Sequence, residues 1–384
     1  MIKPTILQIL PALNTGGVEQ TVLDVAQAVV EKGWNALVVS QGGRLVPDLK
    51  KRGAHHIDLP LDTKNPWHIW RNSYSLSQIM KSYPISVVHA RSRAPAWSAF
   101  WATQKLNIPF VTTFHGVYNA AGPFKKKYNA IMTKGQCVIA NSEFVGAHIH
   151  EVYDLSFDRI RVIPRGVDLK RFSVSLISDK SQQDLREELG LSREKRRPLL
   201  LLPGRLTSWK GQKVFIEALE HYEKREYDAL LVGDDQGRKE YRQELESLIR
   251  EKGLSQNVKI IGHRSDIPLI LSLADVVISA STDPEAFGRI MIEAFAMEKP
   301  VIASQHGGAL EIIEHGVNGL FFSPADSKAL TEAIAFILSL PEQGRVQLGK
   351  AGYASIIGYY TKERMCALTL KVYEEILHEK NFNS

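Results

Sequence analysis

Cysteine is nearly absent: Cys137 and Cys366 are the only two in 384 residues. That is too few for a disulfide framework. With no Cys-x-x-Cys pair and no Cys/His cluster, a structural zinc site is not expected either. A reducing cytoplasm suits such usage. Long apolar runs are missing too. The longest candidates, Leu199–Leu202 and Ala333–Leu340, fall short of the roughly 20 residues that span a bilayer and read as a buried strand and a helix face. The opening MIKPTILQILPAL is interrupted by Pro and Gln and has no small-x-small cleavage site after it. It reads as a first strand, not a signal peptide. No Gly-x-Gly-x-x-Gly occurs, which counts against a conventional dinucleotide enzyme. No Gly-x-x-x-x-Gly-Lys-Ser/Thr occurs, which excludes a P-loop NTPase as far as a motif can. No repeat recurs at solenoid periods.

What is present is an ordinary globular balance, 44% apolar and 23% charged residues, which excludes a disordered or collagen-like chain. The length exceeds what a single core usually supports, so two domains of roughly 150–200 residues are expected. The net charge of +6 is unevenly placed. Residues 1–168 hold nineteen Lys and Arg against eleven Asp and Glu, or +8, and the remainder is −2. A basic half attracts nucleic acid, an anionic membrane or a phosphorylated substrate, or simply aids solubility. No nucleic-acid fold signature accompanies it.

Apolar runs and amphipathic runs alternate from end to end. Strands are expected at Thr5–Leu10, Asn35–Ser40, Ser86–His89, Pro109–Phe114 and Cys137–Ala140, with helices such as Val18–Glu31 and Ala94–Lys105 between them. A second series follows at Pro198–Leu202, Ala229–Gly233, Val258–Gly262, Val276–Ala280 and Val301–Ser304. Its helices include Gln212–Arg225, Lys239–Lys252, Arg289–Met297 and Lys328–Leu338. Strands apolar throughout belong to sheets covered on both faces, and strand–helix alternation makes parallel sheets. The expected class is α/β, two doubly wound Rossmann-like domains facing a cleft. The boundary is expected within Pro164–Arg197, which is Ser-rich at Ser173–Ser181, holds a short helix Gln182–Leu189 and ends in the run Arg193–Arg197. The expected domains are residues 1–168 and 169–360, with residues 361–384 a closing amphipathic helix.

In such sheets ligands bind beyond the carboxyl ends of the strands, so the residues after each strand carry the chemistry. Gly16-Gly17 follows the first strand and opens a helix, which suits close approach of an anion and equally an ordinary turn. Arg205 and Lys210, in Pro203-Gly204-Arg205-Leu206 and Lys210-Gly211, share the loop after the first strand of the second series. A forked donor, a point charge and a helix N-terminus together suit a diphosphate. Gly233-Asp234-Asp235 either admits a ligand or simply turns. Glu285 lies in a strand–helix loop between Pro284 and Gly288, and Glu293 sits within the next helix among Ile290, Ile292, Ala294 and Phe295. A carboxylate among apolar neighbours needs partners, and two near one cleft fit a glycosidase as well as a pair on a solvated helix. Gly307-Gly308 with Glu311 forms another close-approach loop. His115, in Thr113-Phe114-His115-Gly116, is either a donor to a substrate hydroxyl or a strand-end cap. Arg91, Arg93, Lys125-Lys126-Lys127 and the tryptophans Trp67, Trp70, Trp97 and Trp101 all fall in the basic half, a mixture that suits a membrane interface or a phosphorylated amphiphile, or core tryptophans beside a solvated loop.

Taken together, these residues resemble a family 4 retaining glycosyltransferase of the GT-B fold (glycosyl transferases group 1), over essentially the whole length. The most specific part is Ser281–Ile302: Glu285 and Glu293, Phe287-Gly288, then Lys299-Pro300-Val301-Ile302-Ala303. Gly307-Gly308 with Glu311, Gly316-Val317-Asn318-Gly319-Leu320, Gly204-Arg205-Leu206 with Lys210-Gly211, Ala140-Asn141-Ser142, and Pro164 with Gly166-Val167-Asp168 continue the pattern. The resemblance implies that Arg205 and Lys210 hold the diphosphate of a nucleotide sugar and that Glu293 binds the ribose. It implies that Glu285 contacts the donor sugar, with the amides of Phe287 and Gly288 nearby. It also implies that Gly17 allows close approach of acceptor and donor phosphate, that His115 hydrogen-bonds the donor sugar, and that Arg264 lies beside the base. The family's metal independence agrees with the lack of an Asp-x-Asp motif; no metal and no bound cofactor is expected. Three positions depart from the family pattern: Arg165 where Asn is usual, Trp209 in place of an acidic residue, and Asp235 in place of a second glycine. His89–Arg93 is similar to members that build lipopolysaccharide. The resulting expectation is a cytoplasmic enzyme moving a sugar from a UDP- or GDP-linked donor to a lipid-linked or lipopolysaccharide-core acceptor. It would touch the inner face of the plasma membrane through its basic half and bind no nucleic acid. A nucleotide-sugar 2-epimerase and an inactive nucleotide-sugar-binding scaffold share the fold as alternatives.

Overall fold

The computed structural model describes residues 3–14, 16–191 and 196–382; Thr15 and the basic run up to Lys195 lie outside the described residues. All strands pair in parallel. The first sheet holds β1 (Thr5–Ile9), β2 (Asn35–Ser40), β3 (His55–Asp58), β4 (Ile85–Ala90), β5 (Phe110–Phe114), β6 (Cys137–Ala140) and β7 (Ile160–Val162), in the order β3-β2-β1-β4-β5-β6-β7. The second holds β8 (Leu199–Pro203), β9 (Asp228–Val232), β10 (Val258–Ile261), β11 (Val276–Ser279), β12 (Val301–Ser304) and β13 (Gly319–Phe322), in the order β10-β9-β8-β11-β12-β13. These are two doubly wound Rossmann-like sheets.

The continuous apolar runs are explained by burial on both faces. In β8 and β9, Leu199, Leu201, Leu230 and Val232 belong to one core, while Leu200, Leu202, Ala229 and Leu231 belong to the core on the opposite face. Side chains alternate across a strand, so both faces must be apolar when helices cover both. Three strands escape the sequence pattern: β3, β7 and β13. All three lie at sheet edges. β3 reads His-His-Ile-Asp and is half-exposed, and β7 is three residues long. An edge strand such as β3, covered on fewer sides, has no need of an apolar run, whereas β13, also at an edge, is apolar and buries Leu320 and Phe322.

The chain divides into two compact units, one running to Arg165 and resuming at Lys362, the other spanning Gly166–Thr361. The first break follows Arg165 instead of Asp168. Val167 already belongs to the second core, and its amide donates to the Tyr360 carbonyl at 2.8 Å. Within the stretch expected to hold the boundary, Phe172, Leu185, Leu189 and Leu191 are buried in the core of the second unit. The closing helix, Lys362–Phe382, joins the first unit and packs on the helix Gly17–Glu31. Met365, Cys366, Val372, Tyr373 and Ile376 enter the core there. Tyr373 Oη lies 2.6 Å from His89 Nδ1, and Lys32 pairs with Glu374 at 2.5 Å. Among the described residues no helix is long and apolar enough to cross a membrane.

Candidate active site

In the second unit three loops meet at the carboxyl ends of β8, β11 and β12. The loop after β8 carries Arg205 and Lys210. It ends at Gly211, whose φ of +71° suits glycine. A Cβ at Gly211 would overlap the Ala280 carbonyl at the end of β11, so glycine lets the loop lie against that strand. The Thr282 amide donates to the Trp209 carbonyl at 2.8 Å and fixes the contact. Lys210 Nζ is thereby placed 2.5 Å from Glu285 Oε1, and the two side chains are only 15% and 14% exposed. Ser281 Oγ donates to the same carboxylate oxygen at 2.5 Å. From the third loop the Gly308 amide donates to the Glu285 carbonyl at 2.8 Å, and His306 Nε2 lies 2.8 Å from the Ser281 carbonyl.

Burial by itself would raise the Glu285 carboxyl pKa. The Lys210 charge, the hydrogen bonds from Lys210 and Ser281, and the charge of His306 outweigh it and hold the group below its ordinary value. The site is thus a desolvated ammonium–carboxylate pair at a strand end. Lys210 also lies 4.5 Å from the centre of the Trp209 ring, so the tryptophan standing where the family has an acid still faces the cation. Arg205 is exposed and its guanidinium makes no ion pair among the described residues; its carbonyl accepts from Gln212 Nε2 at 2.9 Å.

The other expected residues divide. Phe287 is buried, with its ring 5.6 Å from that of Tyr360. Gly288 has φ +87° and starts the helix Arg289–Ala296. Glu293 on that helix pairs with Arg289 at 2.7 Å. Arg264 forks its guanidinium onto Asp266, at 2.9 and 2.5 Å, and reaches Glu188. Its hydrogen bonds to Asp266 and then to Glu188 push its pKa above the usual arginine value. Two glycine loops resolve as protein contacts. A Cβ at Gly233 would overlap the Gly204 carbonyl, and one at Gly308 would crowd Phe287 and Ala286.

In the first unit Gly17 and His115 are brought together by a residue with no assigned part. Arg165 donates to Thr21 Oγ1 at 2.5 Å and to His115 Nδ1, and Thr21 donates to the Gly17 carbonyl at 2.8 Å. Burial first, then the charges of Arg165, Arg91 and His89, hold the His115 pKa well below its ordinary value. Arg91 is not a surface cation. It is 3% exposed and donates to Gln8 Oε1 at 2.5 Å, tying β4 to β1. Arg93 stacks over Tyr118 at 4.3 Å and donates to Asn129. Sequence reasoning assigns no part to Ser281, His306 and Arg289, because such polar and helix-surface residues carry no motif of their own. Among the described residues no group of three or more His, Cys, Asp or Glu is placed to hold a metal ion.

Residues 182–355 match the family model described as glycosyl transferases group 1, and residues 15–171 match that of glycosyltransferase family 4. The chain is 30% identical over 304 residues to a D-inositol 3-phosphate glycosyltransferase of Xylanimonas cellulosilytica, covering 75% of this chain and 72% of that one. It is 38% identical to a glycosyltransferase of Rickettsia africae, with TM-score 0.90 over 98% and 99% of the two chains. It is 25% identical to Anabaena HepE, solved in complex with UDP-glucose, with TM-score 0.84 over 96% and 99%. Two parallel Rossmann-like sheets, a lysine–glutamate pair at the strand ends of the second, and matches along both units lead to one statement: the chain belongs to the family 4 glycosyltransferases of the GT-B fold and is a glycosyltransferase.

Proposed function

We propose that the chain moves a sugar, with retention of configuration and without a metal ion, from a nucleoside-diphosphate sugar to a lipid-linked or lipopolysaccharide-core acceptor. The observation that carries the donor assignment is the loop after β8, which offers the exposed guanidinium of Arg205 and the desolvated ammonium of Lys210 beside the N-terminus of the helix Gln212–His221. Breaking the bond between the anomeric carbon and the diphosphate leaves negative charge on the leaving oxygens. Cations already in place stabilise that charge without reorganising. Glu285 faces the donor sugar with the Phe287 and Gly288 amides, Glu293 takes the ribose, and the Nε2–H of His115 is offered to a sugar hydroxyl. Gly17 leaves room at the start of its helix for the donor phosphate and the acceptor. Arg264, paired with Asp266 and Glu188, lies beside the base. Retention requires the acceptor hydroxyl to attack from the face that the diphosphate leaves, where the departing oxygen is the nearest base for its proton.

The acceptor side rests on the surface of the first unit. Trp67, Trp70 and Tyr74 are exposed along the helix Pro66–Ser82, with the two indoles stacked 5.0 Å apart. The neighbouring helix Arg93–Leu106 adds exposed Trp101 and, through Trp97, joins the Phe124–Lys127 segment, where Phe124 is 89% exposed beside three lysines. Aromatic rings with adjacent lysines suit an anionic bilayer surface.

A thermal-shift screen against UDP, GDP, ADP, CMP and NAD tests the donor. A ligand at a hundredfold over its dissociation constant stabilises by about 2.7 kcal/mol. One nucleoside diphosphate should shift the melt and NAD should not. Lys210→Ala or Arg205→Ala should lower turnover by orders of magnitude, and unchanged turnover in both sinks the diphosphate assignment. Flotation with anionic against zwitterionic vesicles tests the surface: equal partition refutes it.

A further inference from the structure

Arg165 departs from the asparagine usual in the family, and its side chain is only 6% exposed. Its two terminal nitrogens serve different partners, Thr21 Oγ1 at 2.5 Å and Nδ1 of His115. Thr21, itself buried, donates its hydroxyl proton to the Gly17 carbonyl at 2.8 Å. A guanidinium has five donors, no acceptor, and keeps its proton in proteins. Nδ1 of His115 must therefore present its lone pair, and the single proton of the neutral ring sits on Nε2. That atom is buried and has no hydrogen-bond partner among the described residues. A buried donor left unpaired costs about 1–3 kcal/mol and is the kind of group a ligand satisfies.

We propose that Arg165 is a positioning residue for glycosyl transfer: it sets the ring plane and tautomer of His115, so that Nε2–H is offered to a substrate hydroxyl, and through Thr21 it braces the Gly17 turn. This rests on the reading of His115 and Gly17 as substrate-facing. Asparagine at 165 has one amide group on a short stem and reaches at most one of these partners. Around the imidazole, Arg165, Arg91 and His89 are the charged or titratable neighbours, with Tyr118 beyond under Arg93. All of them disfavour a proton on the ring or leave it unaffected, so His115 stays neutral and its tautomer is decided by the guanidinium.

The test combines nitrogen-15 spectra of histidine-labelled protein with kinetics. In the parent, His115, assigned by the signal lost in His115→Gln, should show the Nε2–H tautomer alone. Arg165→Asn should average the two tautomers and move the titration of His115 up towards the ordinary range. It should lower kcat/KM about a hundredfold, the cost of a misplaced group. Affinity for UDP or GDP should hold, because Arg205 and Lys210 belong to the other unit. Arg165→Lys keeps a cation with one partner and should fall between. Thr21→Val should keep the tautomer and still slow turnover, which separates positioning from misfolding of the arginine variants. Mixed tautomers in the parent, or an Arg165→Asn enzyme with parental tautomer and turnover, overturn the inference. A parent that holds the Nε2–H tautomer but transfers no sugar from any donor refutes the transfer reading while supporting the positioning itself.

Discussion

Replacing Lys210 by Met tests the energetics of the pair with Glu285. The substitution keeps the aliphatic stem and deletes the ammonium 2.5 Å from Glu285 Oε1. It leaves a carboxylate that is 14% exposed with Ser281 as its hydrogen-bond donor. Breaking a fully buried pair costs about 3–5 kcal/mol. The residual exposure of Glu285 lets water relieve part of this, so the lower end, about 3 kcal/mol, is expected. For a unit of the size of Gly166–Thr361 that is a fall of roughly 6–12 °C in its own melting transition. The pH dependence gives the sign. In the parent the folded pKa of Glu285 lies below the ordinary 4.5, so its stabilisation is present above that value and is lost as pH falls through the folded pKa. Without Lys210, burial remains as the dominant influence and raises the folded pKa above 4.5. The variant is then penalised at neutral pH and relieved by acid. Calorimetry at pH 7 and near pH 4.5 should show the deficit shrinking at the lower pH, and Glu285→Gln added to Lys210→Met should recover most of it at pH 7. An equal deficit at both pH values, or no recovery from the second substitution, refutes the coupling.

Other outcomes follow from the same geometry. Tyr373→Phe removes the hydroxyl that meets His89 Nδ1 inside the first unit and should cost about 1–3 kcal/mol, read as faster amide exchange in the closing helix. His89 and His115 are both held neutral, well below 6.5, by burial and then by neighbouring cations. The unfolded chain therefore binds their protons first. Stability is full above pH 6.5 and falls below it, with a limiting slope of about 1.4 kcal/mol per pH unit for each imidazole; His89→Asn should flatten that slope in urea titrations. Gly211→Ala sets a Cβ against the Ala280 carbonyl at a φ of +71° and should cost several-fold more stability than Gly262→Ala, where a Cβ meets nothing. Trp67→Ser with Trp70→Ser should weaken anionic-vesicle binding and leave the transfer to a soluble acceptor intact.

Much of this molecule was legible in its sequence because the signals are local. Apolar runs that stay apolar on alternate positions, such as Leu199–Leu202, announce strands covered on both faces. Glycines after strands announce turns, and the order of Arg205, Lys210, Glu285 and Glu293 carries the family. Tertiary structure decided the partners. Lys210 meets Glu285 across 75 residues, and Tyr373 meets His89 across 284. Arg165 reaches Thr21 across 144, which turns an apparent departure into the hub of the first unit's network. Nor could sequence separate Arg205, exposed without an ion-pair partner among the described residues, from Arg264, committed to two carboxylates. Arg91 read as a surface cation and is a buried strut. Hydrophobic period and turn chemistry are properties of neighbours along the chain, whereas ion-pair choice and burial are set by whichever residues the fold brings within a few ångströms.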